Sequence, residues 1–277
     1  MFFRHWNIRL RVGAAVTLLF LVLGFAVSSF CPIPDVMAWG SFPKSRPPGG
    51  GHILGTTALG QDIFWLAVMS LRNSLLLGLL TAFLSTALGV AVGLFSGLRG
   101  GAADRVATLF TDSLIAVPNL PILILLGSIL KGRIPIPALA LVLTLFSWPW
   151  PARATRSMTL SIRESDFIST ARFSGEGTLK IIAKEIFPFV SDWSVASFTN
   201  AILSAIQTES GLAIIGMSSN TMPTLGTMIY WANDRSAILS EQWFWIGAPV
   251  VLVTLLFIAL FMTLSGYQAY ATMRRGK

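Results

Sequence analysis

The sequence predicts an all-α, polytopic membrane protein with six transmembrane helices, and two observations carry that expectation. Of its 277 residues, 54% are hydrophobic and only 12% are charged, where a soluble domain carries about 25% charged residues. Several stretches lack any charge over a length sufficient to cross a hydrocarbon core of roughly 30 Å at 1.5 Å per helical residue. Together these read as one membrane domain over residues 1–277, with no soluble domain appended.

The spans follow in order. The first is expected over 12–30. "MFFRHWNIRLR" before it mimics a signal peptide, but the apolar run is long and no small-residue cleavage site follows, so it reads as a retained span. Residues 31–73 form an outer segment rich in proline and glycine at its start, and residues 74–267 hold a core of five spans. Span 2 (74–98) is uncharged. Span 3 (106–130) is interrupted by Asp112, Pro118 and Pro121, and irregular backbone there should face protein or a cavity rather than lipid. Span 4 (134–152) ends in "WPWP", and a polar, basic loop occupies 153–186. Span 5 (187–209) is followed by a mixed, partly apolar loop over 210–241, then span 6 (243–267) and the tail 268–277. Trp148, Trp150, Trp243 and Trp245 read as interface anchors.

Lysine and arginine orient the chain. Six of the 20 (Lys44, Arg46, Arg72, Lys131, Arg133 and Arg235) fall on the side opposite the termini, and the other 14 on the side of the termini. That bias places both termini in the cytoplasm. The net charge of +8 is accounted for by anionic lipid at the membrane surface, not by nucleic acid.

Catalytic chemistry is not expected. His5 and His52 stand outside the spans, and there is no HExxH pair, no GxSxG elbow and no GxxxxGK[ST] loop. With Cys31 as the sole cysteine, neither an intrachain disulfide nor a cysteine metal cluster is expected. No cofactor or metal is expected on this chain.

The loop "STARFSGEGTLKIIAKEIFP" (169–188) stands apart. Phe167, Ile168 and Ala171 share one helical face, and Leu179, Ile182 and Ile186 share another. Gly175 and Gly177 between them break the helix cheaply. The pattern reads as helix, glycine turn, helix, either a rigid knob or an amphipathic segment lying in the lipid interface.

Three further features stand out by their own chemistry. Asp112 and Glu209 are carboxylates in or at the edge of spans, which makes each a functional candidate. Asp112 is expected to partner an arginine such as Arg105. Glu209 either faces a water-filled passage or ties down the loop that follows it. Gly89, Gly93 and Gly97 recur every fourth residue, a spacing that lets helices approach closely.

The 169–188 loop resembles the signature of binding-protein-dependent ABC importer permeases. Ser169-Thr170-Ala171 stands where the family has Glu-Ala-Ala, Gly175 takes its glycine and Pro188 closes the motif. "HILGTTALGQDIF" (52–64) is similar to the "H-x-LGTDxLGRD" stretch of the dipeptide, oligopeptide and nickel permeases, with Thr57 and Gln61 replacing Asp and Arg. "LRNSLLLGLL", "DRVATLFTDSLIAVPNL" and "ESGLAIIG" are similar to that subfamily's "ARxSLxxG", "DR…D…AFP" and "EAALSFLG", in the same order.

The resemblance implies a type I ABC importer permease fold and the C-type subunit of an inner-membrane importer for a peptide-like solute. It implies a homologous permease partner, two cytoplasmic ATPase subunits or domains that bind ATP and magnesium, and an extracytoplasmic solute-binding protein. It also makes Phe167, Ser169, Thr170, Ala171, Arg172, Gly175, Glu176, Gly177 and Pro188 the contact that couples the ATPases to the spans. A nickel or metallophore importer of the same family is the alternative cargo. An ion-gradient secondary transporter or a structural membrane scaffold is the alternative class, although the midplane ionisable sites and inverted repeats of secondary transporters are not evident.

Overall fold

A computed structural model describes residues 8–130, 134–216 and 222–275. Its elements are α1 (Ile8–Leu21, continued by a π turn Val22–Ala26 and a 3₁₀ turn Val27–Phe30), α2 (Ile63–Arg99), α3 (Gly101–Ala116), α4 (Asn119–Leu130) and α5 (Ile136–Ser147). They continue with α6 (Pro149–Arg163), α7 (Asp166–Phe173), α8 (Thr178–Ile181, then a π turn Ile182–Ile186), α9 (Phe187–Ile214), α10 (Leu225–Asp234) and α11 (Trp243–Arg275). Among the described residues the only β pairings are the isolated bridges Gly49–His52 and Thr56–Asp62.

Among the described residues three helices are long and apolar enough to cross a membrane: Ile8–Phe30, Ile63–Arg99 and Trp243–Thr272. Gly101–Ala116 and Asn119–Ile129 form a fourth if the broken pair is one span. The break falls at Val117, whose extended backbone is the conformation expected of a residue before proline. Of the remaining expected spans, α5 has 12 residues. α9 has the length, at 28 residues, but its serines, threonines, Asn200 and Gln207 keep it below the apolarity of a lipid-facing helix.

The described residues form two compact units: Met1–Gly78, Pro121–Leu139 and Leu203–Lys277 make one, and Leu79–Leu120 with Ala140–Ile202 the other. In the first, α1 lies along α11 through glycine. A Cβ on Gly13 would stand 2.5 Å from the Thr263 amide nitrogen, and one on Gly266 2.5 Å from the Leu10 amide nitrogen. Close approach of this kind replaces hydrophobic driving force, which is absent between helices in lipid. The core of the unit gathers Leu59, Ile63, Leu66, Ala67, Met228 and Trp245. α2 starts at Ile63, well before the expected 74, because Asp62 caps it: the Asp62 carboxylate accepts from the Trp65 amide at 2.9 Å.

In the second unit, the glycine stripe of α2 lies against α6. A Cβ on Gly89 would meet Pro151 Cγ at 2.6 Å, on Gly93 the Ala152 carbonyl at 2.5 Å, and on Gly97 Thr159 Cβ at 2.7 Å. Beyond this contact Val90, Leu94 and Leu98 of α2 share a core with Ile168, Ile181, Ile186 and Val190.

Two expectations are corrected. Trp148 and Trp245 are buried, while Trp150 and Trp243 are exposed, so only one of each pair can serve as an interface anchor. Residues two apart on a helix point to nearly opposite sides, so both cannot face out. Leu179 is 76% exposed and does not share a face with Ile182 and Ile186; Ile181 is buried in its place. α8 lasts a single turn before the π turn begins, so a 3.6-residue period does not carry through. The π turn has its own cause: Pro188 lacks the N–H that would donate to the Lys184 carbonyl, and the ladder widens just before it.

Candidate functional site

The knob in the second unit is built from the inside outward. Ile168 is fully buried and Ala171 half-buried against the end of α2, which fixes α7 by its inner face. α7 ends at Phe173, and Gly175 then takes φ +78°, a region open to glycine. The Gly175 amide donates to the Arg172 carbonyl at 3.0 Å and the Glu176 amide to that of Ala171 at 3.1 Å, closing the turn. α8 restarts at once, with the Lys180 and Ile181 amides donating to the Gly177 carbonyl. Lys180 pairs with Glu176 at 2.5 Å across this start.

The outer surface of the knob is apolar where it projects furthest. Phe173 is 92% exposed beside the glycine turn, and Leu179 stands exposed opposite. Phe167 stacks on Phe189 with ring centroids 5.7 Å apart, both about half exposed. Ser169 and Thr170 lie on the open side of α7, whereas Arg172 flanks its inner face and donates from its guanidinium to the Leu98 carbonyl at 3.2 Å. Gly177 and Pro188 are exposed, and Glu176 is half-buried. A cluster of exposed large apolar side chains marks a contact surface.

α3 is held to α6 by charge. Arg156 binds Asp104 through two hydrogen bonds, Nε to Oδ1 at 2.5 Å and Nη2 to Oδ2 at 2.8 Å. Asp112 pairs with Arg153 at 3.5 Å, not with Arg105 as expected. Arg105 lies on the same helix seven residues away, whereas α6 brings Arg153 across from the neighbouring element. Both partners are more than half exposed, so this second pair adds little stability.

Glu209 belongs to the first unit and is fully buried. Its Oε1 accepts from the Thr224 hydroxyl at 2.7 Å. Thr224 in turn caps α10 through a reciprocal pair with Thr227. Asn73 donates to the Pro223 carbonyl at 2.7 Å, and the Leu225 amide donates to Ser74 Oγ at 3.0 Å. Gly226 lets α10 lie on the end of α9, since a Cβ there would stand 2.6 Å from Ser210 Cα. Sequence reasoning found Glu209 but missed Asn73, Ser74, Thr224 and Gly226. The only signal for them was Asn73-Ser74 within a similar stretch and Thr224 three residues before Thr227.

The 52–64 stretch folds into a compact knot ahead of α2. His52 Nδ1 and Asp62 Oδ2 stand 2.6 Å apart, and Thr56 Oγ1 accepts from the Arg46 amide while donating to the Pro43 carbonyl. Thr57 and Gln61, the two residues that depart from the subfamily pattern, touch each other at 3.4 Å, and Gln61 donates to the Met37 carbonyl. A neutral pair thus stands where the pattern has an acid and a base. Among the described residues no group of three or more His, Cys, Asp or Glu could hold a metal ion.

Comparison with known proteins places this geometry. Residues 89–274 match the family model of the binding-protein-dependent transport system inner membrane component. The oligopeptide transport system permease protein OppC of Mycobacterium tuberculosis is 30% identical over 215 residues, covering 77% of this chain and 73% of that protein. OppC of Lactococcus lactis subsp. lactis is 29% identical over 217 residues (78% and 74%). The dipeptide transport system permease protein DppC of Bacillus subtilis is 27% identical over 262 residues (94% and 80%). In fold the chain is similar to an inward-facing structure of the MetNI methionine ABC transporter, with TM-score 0.56 at 19% identity over 74% of this chain and 96% of that one. The chain therefore belongs to the family of binding-protein-dependent transport system inner membrane components, the permeases of ABC importers.

Proposed function

We propose that the chain is the C-type permease of an importer for peptide-like solutes, and that it contributes one half of a translocation passage shared with a homologous permease. The observation that carries this reading is the knob: its inner face is locked into the core of α2 and α9, and its outer face projects Phe173 and Leu179, 92% and 76% exposed. In this reading the knob docks on a cytoplasmic ATPase, because the sequence holds no phosphate-binding loop of its own. Closure of the ATPases on ATP and magnesium then rocks the paired spans and opens the passage to alternate sides, while a solute-binding protein delivers cargo from outside.

The polarity of α9 supports the same reading. Asn200, Ser204, Gln207 and Gly211 are exposed at positions i, i+4, i+7 and i+11, one face of the helix. Uncharged polar groups on a helix of membrane-crossing length are costly against lipid. Against a partner permease or a watery passage they are satisfied. In this reading such surroundings shelter α9, and the six expected spans cross a bacterial cytoplasmic membrane with N- and C-termini inside.

Reconstitution tests the function. Vesicles holding this chain with its partner permease and ATPases should take up di- or oligopeptides only when ATP and the binding protein are both present. Uptake driven by an ion gradient without ATP would overturn the reading. Orientation is tested separately. A cysteine at Arg163 should be labelled by an impermeant reagent only from the cytoplasm and one at Leu239 only from outside; the opposite pattern at both would reverse the model. Thr221, which sequence alone suggests for the outer label, lies outside the described residues.

A further inference from the structure

Beneath the knob, and apart from its exposed face, the second unit contains a predominantly polar cavity of about 480 Å³ at the end of α2. Its lining includes Arg99, Arg163 and Arg172, with Glu164, Glu176 and Thr178. The two acids offset it only in part: Glu176 is engaged by Lys180 at 2.5 Å, and Glu164, largely exposed, accepts from both Nε and Nη2 of Arg163 at 3.0 Å, which leaves Arg99 and Arg172 without an acidic partner among the described residues.

The arginines are braced from behind. Arg163 donates to the Gly97 carbonyl and Arg172 to the Leu98 carbonyl, each at 3.2 Å, so both cap the last turn of α2. That contact offsets the negative end of the helix dipole. It also leaves Arg172 with donors to spare, since a guanidinium carries five N–H groups in a planar fork. The Arg99 side chain makes no hydrogen bond among the described residues; its guanidinium rests 5.5 Å from the centre of the Phe95 ring. Three guanidiniums, two of them held in place, thus converge on one polar space with an uncommitted hydroxyl-bearing residue, Thr178, beside them.

Depth fixes what such a space meets. α2 is a helix apolar and long enough to cross the membrane, and Arg99 is its last residue. The cavity therefore lies at the end of a membrane-crossing helix, where its apolar stretch gives way to charge. Basic pockets beside such helix ends hold phosphate-bearing headgroups, and arginine matches phosphate oxygens in pairs. We propose that this cavity binds a phosphate group, either the phosphodiester of an anionic phospholipid or free inorganic phosphate, and that its occupation fastens α7 and α8 to the end of α2. The knob would then be stiffest, and transmission through it most efficient, when the site is filled.

The test uses the whole complex, this chain with its partner permease and ATPases, in nanodiscs. One set contains phosphatidylcholine alone, a second phosphatidylcholine with phosphatidylglycerol, and a third phosphatidylcholine alone with inorganic phosphate added. Bound phosphatidylglycerol is read by native mass spectrometry, bound phosphate by phosphorus NMR, and ATPase activity in each. Each arginine replaced is expected to weaken retention of the phosphate group by about fivefold. Arg99→Gln is the main variant because it breaks no side-chain hydrogen bond among the described residues; Arg163→Gln is the second. Arg105→Gln removes an equal charge nearby, outside the cavity, and should change nothing. Loss of phosphatidylglycerol from the first two variants alone establishes the lipid headgroup as the source, and loss of inorganic phosphate alone establishes the free anion. Equal losses in Arg105→Gln, or no retention of either probe by the unaltered complex, would overturn the site.

Discussion

Gly175→Pro is expected to lower ATP-driven uptake by about one to two orders of magnitude, the range of a typical coupling free energy, while membrane insertion persists. The reason is local. Gly175 sits at φ +78°, whereas proline is held near −65°, so the substitution is incompatible with the turn and also removes the amide that closes it on the Arg172 carbonyl. Nothing stands within 4 Å of a Cβ at this position, so the effect comes from backbone direction and not from a clash. α7 keeps its anchorage through Ile168, and α8 through Ile181, but the angle between them changes. A rigid contact that has lost its shape can still touch an ATPase without transmitting its closure.

Ala171→Glu approaches the same contact from the inner side. Ala171 packs on the core formed by Leu98, Ile168 and Ile181, and a carboxylate there must either lift α7 or lie desolvated. Both variants should leave basal ATPase activity of the assembled complex measurable and remove its stimulation by loaded binding protein. Ser240→Ala serves as the control, since Ser240 lies outside the knob, is exposed and makes no side-chain hydrogen bond among the described residues. If both Gly175→Pro and Ala171→Glu import at the normal rate, the knob is not the coupling element.

The knob was legible in the sequence because its signals are local. Gly175 and Gly177 punctuate a segment of helical period, and a glycine turn needs no distant partner to declare itself. The long apolar helices were legible for a similar reason: α2 and α11 carry their own solvent preference along their length. What the sequence concealed depends on residues far apart in the chain. The Gly13 and Gly266 contacts join α1 to α11 across nearly the whole sequence, and neither glycine lies in a repeating pattern that would reveal it. Asp112 was assigned to Arg105 because only chain neighbours can be compared before the fold is known; α6 supplied Arg153. α9 was read as a span with a polar run before Glu209, and the four exposed positions of its polar face, one turn after another, become visible only on the folded helix.

Glu209 is where the sequence left two readings open, and the second large effect decides between them. We propose that it ties α10 to α9. Its carboxyl is fully buried and accepts from Thr224, the residue whose hydroxyl also caps α10. Glu209→Ala deletes that acceptor and leaves a cavity beside Gly226, a combination that costs about 2–5 kcal/mol. Glu209→Gln keeps an oxygen where Oε1 now stands and should cost much less. Thr224→Val removes the donor from the other side. If the two residues act as one tie, the double variant Glu209→Ala with Thr224→Val loses less stability than the two single losses added together, because residues in one hydrogen-bonded network do not behave independently. Thermal unfolding of the purified complex measures all four proteins on one scale. Transport separates the readings: with the tie, Glu209→Gln imports within a few-fold of normal, since a neutral amide can hold Thr224 as well as a carboxyl can. Should Glu209→Gln keep the melting temperature yet abolish uptake, the carboxyl itself would serve the passage and the structural assignment would fall.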